Sequence, residues 1–92
     1  MNIHGKAVII NYNTFSLGTS IMVVENGYVT QQQMVDMNME ELSRLSVDIA
    51  HANDISDVYI RAPLAFTDEF SHQVQEEEQK HYSCNKIIVK GI

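Results

Sequence analysis

Four polar residues lie at or just after the ends of two predicted strands, and they are candidates for binding chemistry: Asn11, Asn13, Thr14 and Arg61. In an open α/β sheet, ligands bind beyond the carboxyl ends of the parallel strands. If the two strands are neighbours, these side chains form a small polar crevice with one positive charge, which suits a single anion. The alternative is that Arg61 pairs with a carboxylate such as Asp68, or with helix carbonyl groups.

A second group has residue types that can bind a metal: His72, His81 and Cys84. His81 and Cys84 form a His-x-x-Cys pair, but His72 lies nine residues before His81. At about 100° per residue, the two histidines point to opposite sides of a helix. A strong zinc pattern has two close pairs. We therefore expect no metal site, with Cys84 a small buried residue at the turn into the last strand and His81 a polar helix end.

No residue is predicted to be catalytic. The sequence lacks the Gly-x-Ser-x-Gly pattern of a serine nucleophile. The acidic run Glu76–Glu78 could serve as a carboxylate cluster, but consecutive helix positions point around the helix. We therefore expect Glu76, Glu77, Glu78 and Lys80 on a solvated face.

Seven short segments must position these residues, in the order strand, strand, strand, helix, strand, helix, strand. The dipeptide Asn26-Gly27 is the strongest local signal, because it suits the positive φ values of a type I′ hairpin turn. The predicted strands cover Lys6–Tyr12, Thr19–Glu25, Tyr28–Val35, Asp57–Arg61 and Lys86–Lys90, and the predicted helices begin near Asn38 and at Thr67.

Helical periodicity and caps define both helices. Asn38 can cap the first helix together with Glu41, and Asn53 can end it because asparagine tolerates the left-handed conformation. The apolar stripe of the first helix comprises Met39, Leu42, Leu45, Ile49 and Ala52. The buried side of the second helix is marked by residues spaced by four, namely Phe66, Phe70 and Val74.

Strand polarity predicts the sheet order. The first strand is apolar on both faces over Ala7–Ile10, which is typical of a central strand covered on both sides. The third strand carries Gln31, Gln32 and Gln33, which suit an exposed edge. A three-stranded meander followed by two right-handed crossovers then gives one α/β domain over residues 1–92, with a mixed five-stranded sheet in the order 3-2-1-4-5.

Three stretches carry a resemblance: AVIINYNTFSLG over Ala7–Gly18, the hairpin at Asn26-Gly27, and DVYIRAP over Asp57–Pro63. Their order resembles the ribonuclease H-like superfamily, which includes Holliday-junction resolvases and whose core also occurs in actin-like ATPases. The resemblance covers most of the chain at the level of element order. It implies a shortened ribonuclease H-like fold.

The resemblance also implies where a nuclease of this group holds its metal ions. One carboxylate near the end of the first strand and another at the end of the fourth hold two divalent cations. These positions fall here at Asn11 or Asn13 and at Arg61-Ala62. An amide is a poor Mg²⁺ ligand and an arginine repels the ion, so two-metal nuclease activity is not expected. The Thr14–Gly18 loop is interpreted as a hairpin connection, because one glycine without a lysine makes a weak phosphate cradle.

Composition limits the function further. The net charge is −6 with only six Lys and Arg, which argues against general affinity for nucleic acid. The hydrophobic fraction of 45% is that of a globular domain, and Cys84, the single cysteine, cannot form an internal disulfide. The sequence has no run that resembles a membrane span or a signal peptide. We expect a cytoplasmic protein without a cofactor.

The third strand and the residues beside it are the predicted interaction surface: Tyr28, Gln31, Gln33, Met34 and Met37. An uncharged edge and flexible methionines favour dimerisation or another protein contact. The first hypothesis is therefore a non-enzymatic interaction module, such as an inhibitor or adaptor of viral or mobile-element origin, working as a homodimer or with a protein partner. The alternatives are a degenerate metal-dependent nuclease, resolvase or junction-binding protein, and a domain that binds a small anion at Arg61.

Overall fold

A computed structural model of the chain describes residues 5–13 and 18–92, so Thr14 lies outside the described residues. The strands are β1 (Lys6–Asn11), β2 (Thr19–Glu25), β3 (Tyr28–Val35), β4 (Asp57–Arg61) and β5 (Ile88–Gly91), and the helices are α1 (Met39–Ala52) and α2 (Leu64–Tyr82). They form one sheet in the order β3-β2-β1-β4-β5, which confirms the predicted order. β1 is antiparallel to β2 and parallel to β4, and β5 is parallel to β4.

Local signals account for most of the element boundaries. Asn26 and Gly27 have φ values of 51° and 86°, as the predicted type I′ turn requires. Asn38 caps α1 in a full capping box with Glu41, since each side chain bonds the other residue's backbone N–H. Asn53 ends α1 with φ of −108°, so the left-handed conformation expected there falls one residue later, at Asp54.

Two element starts differ from prediction. α2 begins at Leu64 rather than at Thr67, because Pro63 has the fixed φ that suits a helix start. Thr67 lies in the first turn, where its hydroxyl donates to the Pro63 carbonyl. β5 begins at Ile88 rather than at Lys86, because the backbone N–H groups of Lys86 and Ile87 bond the Glu78 side chain instead of a strand.

Both helices pack on the same face of the sheet. Val8 and Ile10 of β1 belong to one buried cluster with Leu42 of α1 and Phe70 of α2. Ile9, which points to the opposite face, is only partly buried. Among the described elements no helix covers this second face, although Ala7 on it is fully buried, so the expectation that β1 is covered on both sides holds only in part. On this face Ile9 is flanked by Met22 of β2 and Tyr59 of β4, whose side chains can cover part of it.

The buried residues of α1 match the predicted apolar stripe only in part. Leu42 is buried as expected, but Ala52 is exposed. Ser43 and Ser46 are fully buried because each hydroxyl donates to a helix carbonyl four residues earlier, at 2.7 Å. α1 can therefore pack against α2 as well as against the sheet. None of the helices in the described ranges is long and apolar enough to cross a membrane.

Candidate functional site

The carboxyl ends of β1 and β4 form the first candidate site. Asn11 is the register partner of Arg61 on one side and of Ser20 on the other. The Tyr12 backbone N–H donates to the Arg61 carbonyl at 3.1 Å and holds the two strand ends together. Because register partners share a face, the Asn11 and Arg61 side chains are neighbours on the face that carries no helix. The register therefore brings together two of the four predicted crevice residues.

The side chains at these strand ends form a row of register partners, Ser20, Asn11 and Arg61, which we call the strand-end row. Its composition is that of an anion site rather than a cation site. Asn11, Asn13 and Arg61 are exposed, and the ion pairs of residues 5–13 and 18–92 do not include Arg61. The alternative pairing of Arg61 with Asp68 is thus not among them. A divalent cation needs oxygen ligands with negative charge, whereas this row offers amide, hydroxyl and guanidinium groups. Binding of an anion here remains a prediction.

The predicted interaction surface lies along β3, an edge strand of the described sheet. Seven of its eight residues are exposed, and Tyr28 and Met34 keep 78% and 63% of their surface in solvent. Gln31 donates to the Asn53 side chain at 3.4 Å, which ties this strand loosely to the end of α1. Met37 is only partly buried and packs against the core.

The second candidate site is a partly buried polar cluster formed by His51, Glu78 and Cys84. His51 lies in the last turn of α1, Glu78 in the last turns of α2, and Cys84 follows the residue that caps α2. One donor atom from each residue lies within 4.8 Å of the other two. This cluster sits at the amino ends of β4 and β5, at the opposite end of the sheet from Asn11 and Arg61.

Glu78 is the centre of this cluster. Its side chain is 1% exposed, and its Oε1 accepts from the backbone N–H groups of Lys86 and Ile87 at 3.0 and 3.1 Å. Its Oε2 lies 2.7 Å from His51 Nε2 and accepts from the Cys84 thiol at 3.5 Å. The prediction of a solvated face at Glu77 and Glu78 is therefore wrong. A buried carboxylate is tolerated because every one of these contacts offsets its lost hydration.

His51 is fixed by an aromatic contact. Its ring stacks on Tyr82 with centroids 3.8 Å apart and planes inclined by 4°. The Tyr82 hydroxyl donates to Asp48 at 2.8 Å, and this bond raises the pKa of Tyr82. The imidazole therefore has one orientation, with Nε2 directed at Glu78 and Cys84.

Glu77 and His81 form a second glutamate–histidine pair, which is separate from this cluster. Glu77 is buried, and its Oε2 lies 3.0 Å from His81 Nε2, without the geometry of a hydrogen bond. His81 is thus an exposed helix-end residue, as predicted, while Cys84 approaches His51 instead.

The Cys84 thiol is expected to react slowly with iodoacetamide at neutral pH. Burial, followed by the hydrogen bond to the Glu78 carboxylate, raises the pKa of Cys84, so the reactive thiolate is scarce. The alkylation rate should rise at a higher pH than it does for the same chain in denaturant. Glu78→Gln removes the charge and should move this rise to lower pH. Equal pH profiles for the folded and denatured chains would contradict the assignment.

Sequence reasoning missed this cluster because its members are distant in the chain. His51 and Cys84 are separated by 33 residues, and α1 meets α2 only in the folded chain. One signal was present. Glu78 lies four residues after Val74, so it continues the buried spacing that begins at Phe66 and Phe70. That spacing places a carboxylate in the core, where it needs partners.

A comparison with known proteins bears on the fold. No protein-family model matches the sequence, and no curated protein matches it. Among solved structures, the chain is similar to a mutant nuclease domain of the large terminase subunit gp2 of bacterial virus Sf6, with manganese and beta-thujaplicinol. The TM-score is 0.71 at 11% identity, and the match covers 100% of this chain and 39% of that one. The sheet order and this likeness together show that the chain has a ribonuclease H-like fold.

Proposed function

We propose that the chain is a non-enzymatic interaction module that pairs with a second copy of itself through β3. The observation that carries this proposal is the character of that edge strand. β3 is eight residues long, is exposed along almost its whole length and contains no charged residue or proline. A strand paired on one side only leaves backbone N–H and C=O groups free on the other, and these groups can bind another strand.

The second copy is favoured as the occupant because β3 can pair with itself. Two antiparallel copies related by a two-fold axis present the same surface to each other. The chain has a net charge of −6, which opposes self-association in general, but β3 contributes nothing to that charge. Met34, an exposed apolar side chain of this strand, would be partly covered by such pairing.

A bulge in β3 restricts where this pairing can form. The register with β2 shifts between Val23 and Val24, so Val23 pairs with Gln31 and Val24 pairs with Val29. Thr30 is the extra residue, and its hydroxyl donates to the Val23 carbonyl at 3.2 Å. Bulges disturb edge pairing. The regular stretch is therefore Gln31–Val35, which centres a symmetric pair on Gln33.

The double substitution Gln31→Lys, Gln33→Lys is expected to convert the dimer to a monomer. It places up to four positive charges in the paired edge, and lysine is the residue that edge strands use against pairing. We expect association to weaken by at least about 100-fold, measured by sedimentation velocity over a range of concentrations at physiological salt.

The matched control is Gln75→Lys, Gln79→Lys on the exposed side of α2. It makes the same change in composition and charge away from β3, so it should leave the dimer intact. A wild-type chain that stays monomeric at about 100 μM, or a control that dissociates as the β3 variant does, would overturn the proposal.

A second candidate function is weak metal-dependent nuclease or junction binding. The likeness to a viral nuclease domain, solved with manganese, favours it. The row of Asn11, Ser20 and Arg61 opposes it, because no carboxylate stands among these register partners. Cleavage of a four-way DNA junction that requires Mn²⁺ and is lost in Asn11→Ala would favour this candidate over the first. A rise in melting temperature with phosphate that Arg61→Ala abolishes would instead support anion binding.

A further inference from the structure

We propose that His51, Glu78 and Cys84 form a zinc site at the amino ends of β4 and β5. The site is independent of the β3 surface and lies at the opposite end of the sheet from the strand-end row. Imidazole nitrogen, carboxylate oxygen and thiolate sulfur are the ligand types that zinc takes in proteins. Within residues 5–13 and 18–92, this is the one group of His, Cys, Asp or Glu in which donor atoms of three residues lie within 4.8 Å of one another.

The distances between the donor atoms suit a tetrahedral ion. With bonds of about 2.3 Å to sulfur and 2.0–2.1 Å to nitrogen and oxygen, tetrahedral ligands lie roughly 3.3–3.6 Å apart. Cys84 Sγ is 3.5 Å from Glu78 Oε2 and 3.9 Å from His51 Nε2. His51 Nε2 and Glu78 Oε2 are 2.7 Å apart, as a hydrogen-bonded pair. They need to separate by only about 0.6 Å to admit the ion.

Contacts behind the ligands orient them in advance. The Glu78 carboxylate is held at Oε1 by two backbone N–H groups, which leaves Oε2 to face the other two donors. The His51 ring is held by Tyr82, which is held in turn by Asp48. Such outer contacts are typical of metal ligands, because they fix the ring and carboxylate orientation before binding.

The site would be closed by protein on one side and open on the other. Glu78 is fully buried, whereas His51 and Cys84 are partly exposed, so an ion can enter past them and keep a water as its fourth ligand. The three ligands come from α1, α2 and the segment before β5. Zinc would therefore join both helices to the start of the last strand and stabilise the fold by its binding free energy.

Binding must release protons. His51 Nε2 must be unprotonated to bind zinc, so a proton shared between this atom and the Glu78 side chain has to leave Nε2. The Cys84 thiol must also lose its proton to bind the ion, so zinc affinity should increase with pH.

Cobalt provides the direct test, because Co²⁺ replaces Zn²⁺ and shows a thiolate charge-transfer band. Cys84 is the single cysteine of the chain, so this band can arise from no other side chain. We expect the wild-type chain to give the band and tetrahedral d–d absorption with one equivalent of Co²⁺. Zn²⁺ should displace the cobalt and raise the melting temperature. Absence of the thiolate band from the folded wild-type chain at neutral to mildly alkaline pH overturns the proposal without any variant.

Variants test the ligand assignment. Cys84→Ser should abolish the cobalt band, and both Cys84→Ser and His51→Gln should weaken zinc binding by at least about tenfold. The matched control is His81→Gln, which breaks the other histidine–glutamate pair, where no cysteine is present. It should leave the band and the affinity unchanged. Equal loss of the cobalt band in the control and in His51→Gln would contradict the site.

Discussion

Glu78→Ala is expected to lower the free energy of unfolding by about 3–5 kcal/mol, measured by urea denaturation in the presence of EDTA. The substitution removes one buried carboxylate that accepts from the backbone of Lys86 and Ile87 and contacts His51 and Cys84. Two backbone N–H groups would lose their partner at the start of β5, and a buried donor without an acceptor is costly. Amide hydrogen exchange at these two residues should accelerate.

Two further variants separate the causes of that loss. Glu78→Gln keeps the shape and an oxygen that can accept both backbone N–H groups, so it should cost less, about 1–2 kcal/mol. Glu76→Ala, in the exposed part of the same helix, should change stability by no more than about 0.5 kcal/mol. If Glu78→Ala were as stable as Glu76→Ala, the carboxylate would not organise the entry into β5.

Phe70→Ala is expected to have a similar effect, a loss of about 3–5 kcal/mol in the free energy of unfolding. The Phe70 side chain is fully buried in the cluster that joins α1, α2 and the sheet. Its truncation leaves a cavity that the packed helices cannot fill, and urea unfolding should shift its midpoint without a change in slope.

Phe66→Ala is the matched control for that variant. Phe66 stacks on Tyr12 with centroids 3.8 Å apart and lies 6.4 Å from Phe70. Because its ring is only partly buried, we expect a smaller loss of about 1–2 kcal/mol. A loss for Phe66→Ala as large as that for Phe70→Ala would place the main packing contact of α2 at its start rather than at its centre.

The sheet order could be predicted because each strand's polarity agreed with its place. The glutamines of β3 fit the edge and the branched side chains of β1 fit the centre, so one topology satisfied both. The hairpin turn and the capping box were predictable for a related reason, since both depend on residues close in sequence. The start of α2 was not, because the polar signal at Thr67 and Asp68 outweighed the helix-starting geometry of Pro63.

The polar cluster could not be predicted in the same way. A glutamate within a charged run is predicted to lie on the surface, and Glu76 is indeed exposed. Glu78 is buried because the turn around Ser83 returns the chain across the end of α2 and brings two backbone N–H groups to its carboxylate. The burial of Glu78 therefore depends on where the backbone after α2 runs, and the periodicity of the helix side chains does not predict that course.

The two edges of the sheet differ in a way that determines the size of any assembly. If β3 of one copy paired with β5 of the next, each addition would leave a free edge, and growth would continue into a filament. β5 disfavours such growth because it has four residues and carries Lys90, which contacts Asp57 and the Tyr59 ring. Pairing of β3 with β3 uses both long edges at once. The inequality of the edges therefore favours a closed particle of two copies over an open fibre.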